Sequence, residues 1–331
     1  MNINILGIIG CSNVFEKRFY PAVVNSKNTS IKILGSRNLK KAKILSSKLK
    51  INEYGRYIDV FKDREVRTVY ISTPVNQRHY LFDLALQYKK NVFCEKPAFT
   101  NYKDAQAYYK KFQSKNLMFF DCWMFFFHSQ HSFFKKIWSR EFKNQKFNFK
   151  SEFHYPYPDK SNIRLKHKLK GGVFFDSFGY TLNALLLYMK NPISLKSKIK
   201  IDTKLNIDTN FQSKFQFKNG SSAIMHVKFS DKYRSNYKIY NAKKILKCNR
   251  AFSVDIDHIP KITLIKKTIK KNKIFKINKD DQFKKMINSY SNLILEKNKK
   301  KYLYNIKKSL YFYLLYQKCY DSAIYNKKLL V

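Results

Sequence analysis

The chain has 331 residues, 44% of them hydrophobic, and a formal net charge of +45; it is long enough for two domains and too apolar to be disordered. Only ten of its 67 basic residues are arginine, and the lysines run along the whole chain. That is the mark of a composition bias rather than of a local, specific nucleic-acid patch, although such a field would still draw anionic substrates.

The longest apolar runs fall well short of the ~20 residues that span a bilayer. Five scattered cysteines, Cys11, Cys94, Cys122, Cys248 and Cys319, contain no CxxC pair and read as free thiols of a reducing, cytoplasmic compartment. Residues 3–9 (INILGII) are a short β-branched run that predicts a buried strand, followed by a helical stretch over about 14–26. SIKILGS (30–36) predicts a second strand, and NLKKAKILSSKL (38–49) a helix with its apolar face at Leu39, Ala42, Leu45 and Leu49. TVYIST (68–73) is a third strand closed by Pro74, HYLFDLALQYKK (79–90) an amphipathic helix, and NVFCEKP (91–97) a fourth strand. Another helix and the strand NLMFFDCW complete the series near residue 122. Strands alternating with helices of this length predict βαβ units and a parallel sheet.

Beyond residue 122 the rhythm changes. FNFKSEFHY, KLNIDTNFQSKFQFKN, SSAIMHVKFS, YKIYNAKKILKCNRAFS and KITLIKKTI predict strands of an antiparallel sheet. Helices interrupt them near 174–190 and 281–296, and a last one covers about 304–324. The Lys-rich stretches 265–279 and 297–301 read as solvated strand edges and turns. The expected class is α/β: a dinucleotide-binding domain over 1–122, then an α+β domain with a large, mostly antiparallel sheet over 123–331, its last helix able to pack back on the first domain.

The loop GIIGCSNVF (7–15) follows the first strand. The dinucleotide fingerprint G-x-G-x-x-G asks for three glycines; here Gly10 takes the first place, Ser12 the second and Phe15 the third, with Asn13 and Val14 inside the turn. Ser12 keeps the approach open, whereas Phe15 threatens to push the helix outward. An export signal ending at Cys11 would need a basic start, and residues 1–10 hold no Lys or Arg. An ordinary strand and turn stays open on this stretch alone. After the second strand come Ser36, Arg37 and Lys40 with no acid nearby, which favours NADP over NAD because an arginine accommodates a 2′-phosphate.

The segment VYISTPVNQRHYLFDLALQYKKNVFCEKPAFTNYKDA resembles the glucose–fructose oxidoreductase/inositol dehydrogenase (Gfo/Idh/MocA) family, whose signature is strand, TP, helix, strand and EKP. The opening GIIGCSNV and the later sheet segments fit the same family, so the resemblance covers nearly the whole chain. It implies a Rossmann domain followed by an antiparallel α/β domain. It also implies hydride transfer between nicotinamide and a carbinol or carbonyl carbon of a sugar, sugar nucleotide or cyclitol, with surface-sugar biosynthesis as a setting. Thr73, Pro74, Asn76, Glu95 and Lys96 join Gly10, Ser12, Asn13, Val14, Ser36 and Arg37 as cofactor residues, and Lys96 lies beside nicotinamide and substrate. NIRLKHKLKGGVFFDSFGY resembles the family's R…GGG…D-x-G-x-[HY] segment, so Asp176 and Tyr180 match catalytic positions and Arg164 and Asn162 polar substrate positions. Relatives associate through the second sheet, which implies a homo-oligomer.

A free tyrosine has a pKa of about 10, and a neighbouring ammonium such as Lys96 would favour its phenolate. The spacing of four puts Asp176 and Tyr180 on one helical face. Whether Lys96 or Tyr180 transfers the proton is open at this level. His154 is expected in the substrate cleft, and His128 and His131 as cleft or core residues rather than metal ligands; no metal is expected. Three segments depart from the family pattern: Phe178 replaces a glycine, Arg78 a histidine, and in MFFFHSQH Phe126 replaces an arginine and Ser129 a proline. Phe15 and Phe178 motivate the alternative, a cofactor-binding regulatory protein that has lost the chemistry.

Overall fold

The computed structural model describes residues 2–331. The strands are β1 Asn4–Ile9, β2 Thr29–Gly35, β3 Glu53–Gly55, β4 Thr68–Ile71, β5 Asn91–Glu95, β6 Phe119–Cys122, β7 Asn148–Tyr155 and β8 Ser194–Asp202. They continue as β9 Ile207–Gln216, β10 Ser222–Phe229, β11 Arg234–Tyr240, β12 Lys244–Asn249, β13 Lys261–Lys266, β14 Lys271–Lys276 and β15 Leu329–Leu330. The α-helices are α1 Tyr20–Val24, α2 Leu39–Lys48, α3 Tyr57–Lys62, α4 Arg78–Gln87, α5 Tyr102–Ser114, α6 Ser129–Glu141, α7 Gly179–Leu186, α8 Gln282–Leu295 and α9 Lys299–Ile324.

The chain divides into two compact units, 1–124 with 281–311, and 125–280 with 312–331. The sequence pattern alone ends the first domain at 122 and assigns everything after it to the second. The structure adds α8 and the start of α9 to the first unit, and hydrogen bonds show why. Ser291 on α8 accepts from Asn4 Nδ2 (3.0 Å) and from Thr29 Oγ1 (2.8 Å) in the buried ends of β1 and β2. Tyr302 accepts from Phe119 N (2.8 Å). Buried polar groups at the sheet's edge thus find partners on helices that come late in sequence.

In the first unit six parallel strands run in the order β3-β2-β1-β4-β5-β6. Strands β4, β5 and β6 are almost wholly buried, as a sheet covered on both faces requires. The helices start where short polar side chains take up free N–H groups: Asn38 accepts from Lys41 N, and Asn101 from Asp104 N. Between sheet and helices lies an aromatic core in which Phe82, Phe99 and Phe119 meet edge to face or stacked within 5.5 Å.

In the second unit nine strands run β14-β13-β12-β11-β7-β10-β9-β8-β15. All neighbours are antiparallel except β7 and β10. Strand β8 has no counterpart among the strands expected from sequence. Its outward residues Lys196, Lys198 and Lys200 alternate with inward Leu195, Ser197 and Ile199, a period-two pattern masked by lysine. The stretch 265–279 holds the turn and outer strand β14 of the edge hairpin that β13 and β14 form, and β14 is nearly all exposed, so its lysines guard a free edge.

Candidate functional site

In the first unit the sheet grows outward from β1 in both directions, and open α/β sheets bind ligands at the carboxyl ends of the strands beside such a reversal. Four loops leave that edge. After β1, Gly10 has φ +106°, and a Cβ there would lie 3.3 Å from Ser72 Oγ at the end of β4. Only glycine holds this left-handed turn at low cost and keeps the backbone open. Ser12 Oγ accepts from Phe15 N (3.1 Å), so its hydroxyl caps the helix that opens with Asn13 and Val14. After β2, Ser36 Oγ accepts from Asn38 N (3.2 Å), while Arg37 is exposed and bonds the Tyr57 side chain.

After β4, Thr73 is buried and its Oγ1 has no hydrogen-bond partner in the protein; Pro74 leads into a 3₁₀ turn, Val75–Gln77, that carries Asn76. After β5, the Glu95 carboxyl is buried and accepts from Tyr70 Oη (2.7 Å), and burial pushes its pKa up. Lys96 is half-buried at the loop's start. The Gly10 cradle and the unsatisfied Thr73 hydroxyl fit a dinucleotide: one opens backbone to a phosphate, the other offers a buried donor.

Phe15 does not obstruct this loop. Its ring is fully buried, 6.3 Å from Tyr70, and the turn Phe15–Phe19 is π-helical. The wider turn takes up the residue that the missing third glycine leaves too large, and Phe19 stacks on Tyr70 at 3.6 Å. His79 points elsewhere, pairing with Asp104 at 3.3 Å.

In the second unit successive residues of β7 face opposite sides. Phe153 and Tyr155 face the helical layer, where the Tyr155 hydroxyl donates to Asp176 Oδ2 (2.9 Å). Arg164 Nε donates to the same oxygen at 2.7 Å, and Asn162 Oδ1 holds the Arg164 backbone N–H (3.0 Å). The Asp176 carboxylate raises the pKa of Arg164, whose charge also acts on Tyr155 and Tyr180. Burial, then Asp176, pushes Tyr155 well up, so it stays protonated as a donor. Tyr180 is 4% exposed, walled by Phe125, Phe153 and Phe252 with ring centroids 5.5–5.6 Å away. Burial in an apolar wall disfavours a phenolate and a nearby cation favours it; Arg164 is one cation that acts on Tyr180.

Three expectations from the sequence change. Asp176 and Tyr180 do not share an α-helical face, because Phe174–Phe178 forms a π-turn before α7. Phe178 replaces a small residue there, is fully buried, and stacks on Phe174 at 5.3 Å. His154 lies on the other face of the sheet from Tyr155 and Asp176, its Nε2 3.2 Å from His226 Nδ1; strand alternation decides this. Glu152, His154 and His226 have ligand atoms within 4.8 Å of one another. Lys150 and Arg234 hold the Glu152 carboxylate, which works against a divalent ion there, and burial, then His226, lowers the pKa of His154 to about 4. His131 is core: its Nδ1 meets Tyr237 Oη at 2.9 Å.

Tyr155 and Asp208 were not legible as site residues. Asp208 accepts from Phe174 N (2.6 Å) at the start of the turn that carries Asp176. Gly172, at φ +105°, leaves it room, since a Cβ there would collide with Asp208 Oδ1. An acid one sheet strand away, 32 positions on in the sequence, carries no local signal.

Two sequence models match the chain: the oxidoreductase family with NAD-binding Rossmann fold (GFO_IDH_MocA) over 5–121, and the GFO/IDH/MocA C-terminal domain over 145–247. Among curated proteins, the dTDP-3,4-didehydro-2,6-dideoxy-alpha-D-glucose 3-reductase of Actinomadura kijaniata is 21% identical over 291 residues, covering 88% of this chain and 87% of that one. The enzyme of that name from Saccharopolyspora spinosa is 22% identical over 249 residues, 75% of each chain. Among solved structures, a 3-ketoreductase from Actinomadura kijaniata in complex with NADP and TDP-benzene superposes with a TM-score of 0.89 at 20% identity, covering 97% and 98% of the two chains. An aldose-aldose oxidoreductase from Caulobacter crescentus complexed with glycerol gives 0.85 at 16% identity over the full length of both.

Proposed function

The chain belongs to the Gfo/Idh/MocA family of oxidoreductases, and on that premise we propose that it is an NADP-dependent reductase of a keto sugar carried on a nucleoside diphosphate. The observation that carries the reading is Tyr180 buried in its aromatic wall, four positions after the Asp176 that holds Arg164 and Tyr155. When bound, NADPH supplies the hydride. Tyr180 donates a proton to the carbonyl oxygen, and Arg164 stabilises the phenolate left behind. Asp176 and Tyr155 fix Arg164, and Lys96 matches the lysine that the family places beside nicotinamide.

The two curated reductases support a keto sugar nucleotide as substrate. Solved variants of the Actinomadura 3-ketoreductase replace one tyrosine by phenylalanine and one lysine by alanine, the two lying as many positions apart as Tyr180 and Lys96 do in this chain. Arg37, with no acid beside it, supports NADP over NAD.

The test is NADPH oxidation with dTDP-linked 3-keto sugars. Tyr180→Phe and Lys96→Ala should each lower kcat by about 100-fold or more; unchanged turnover in both variants overturns the assignment. The alternative, a cofactor-binding regulator, rests on Phe15 and Phe178, both of which are absorbed into the core. NADPH binding without turnover on any such ketone would revive it. We also read the protein as a cytoplasmic homo-oligomer that associates through the face of the second sheet opposite α7, which light scattering checks. No helix among the described residues is long and apolar enough to cross a membrane.

A further inference from the structure

Arg78 stands where the family pattern has a histidine. It is only 5% exposed, an unusual burial for a guanidinium unless every donor is used. Its Nε and Nη2 both donate to the Thr73 carbonyl, at 3.0 and 2.8 Å. Its Nη1 donates to the carbonyls of Glu95 and Pro97, both at 2.5 Å. Those two carbonyls bracket Lys96, and Thr73 belongs to the loop after the neighbouring strand β4. The buried Glu95 carboxyl lies within reach of the guanidinium's charge.

We propose that Arg78 is the positioning residue of Lys96, one planar fork that ties the loops after β4 and β5 together and fixes the backbone on both sides of the lysine. The chemistry requires arginine. Three carbonyls pointing inward need several donors in a fixed plane, and the guanidinium presents five. Lysine carries the charge as a rotatable point without the fork, and histidine has at most two N–H groups. The substitution seen in the sequence thus adds a clamp in place of a smaller donor. This inference rests on the reading of Lys96 as a site residue, so the experiment separates the two.

In the full chain, Arg78→Lys and Arg78→Gln are compared with wild type in three measurements. Amide hydrogen exchange is expected to accelerate at least 10-fold over residues 95–98 and 73–76, with β1 and α2 unchanged. The kcat on the keto sugar nucleotide reduced by wild type is expected to fall at least 10-fold, with a smaller change in KM. In a Lys96→Ala background, Arg78→Lys should lower the residual kcat by less than 2-fold, because its effect runs through the lysine. The proposal is overturned if exchange in the two loops is unchanged, or if Arg78→Lys costs the same factor with and without Lys96. If wild type binds no NADPH and reduces no ketone, the functional reading falls while the exchange measurement still decides the clamp.

Discussion

The smallest decisive group is the carboxylate of Asp176, whose Oδ2 accepts from both Arg164 and Tyr155. Charge-assisted bonds of this kind are worth about 1.5–3 kcal/mol when broken, and the half-exposed Arg164 lowers the figure by solvent screening. Asp176→Asn should therefore cost kcat about 10-fold and leave the melting temperature within a few degrees, because the cluster serves orientation more than stability. Steady-state kinetics beside a thermal melt checks this; a variant with wild-type kcat would remove Asp176 from the site. That Asp176 and Arg164 belong to one motif was legible, but not that they pair with each other. That Tyr155 completes the set was not, because it lies on a strand 21 positions earlier, and only the pairing of β7 with the helical layer brings it there.

At the scale of the element, the turn that carries Asp176 and leads into α7 hangs on Asp208. Burial pushes this carboxyl up to about 6 against the backbone N–H groups of Phe174 and Val173. A carboxyl whose pKa is raised on folding makes the folded state hold the extra proton between about pH 4 and pH 6. Stability contributed at low pH is then lost as pH rises through that window, by about 2–3 kcal/mol. Asp208→Asn should remove this slope, so its stability relative to wild type improves by about that amount from pH 4 to pH 7. Denaturant melts at the two pH values measure it, and a difference between variant and wild type that stays the same at both would show that the Asp208 proton is not linked to folding. Gly172→Ala meets both a left-handed backbone and Asp208 itself, and a loss of about 2 kcal/mol or more is expected in the same melts. The helices α2 and α5 were readable from their periodicity. The π-turns at 15–19 and 174–178 were not, because no local code marks them: each arises where a phenylalanine has to be seated in a core that other segments build.

For the whole molecule the net charge of +45 acts as a field. Attraction of a nucleotide-linked substrate is screened over about 10 Å at 0.1 M salt, so KM for that substrate should rise several-fold between about 50 and 500 mM salt while kcat stays nearly constant. A KM indifferent to salt would leave the charge to composition alone. The sequence by itself determined the parallel-then-antiparallel order of the sheets, the glycine turn after β1 and the motifs around Lys96 and Asp176, because period, turn residues and spacing are local properties of a chain. Only the tertiary structure decided the rest. The segment 281–311 belongs with the first unit because Ser291 satisfies buried polar ends of β1 and β2. His154 faces away from Asp176 because a strand turns alternate residues to opposite sides. Arg78, an apparent loss of pattern, is a buried clamp because three carbonyls from two loops converge on it; convergence of distant backbone is the property that a linear sequence does not display.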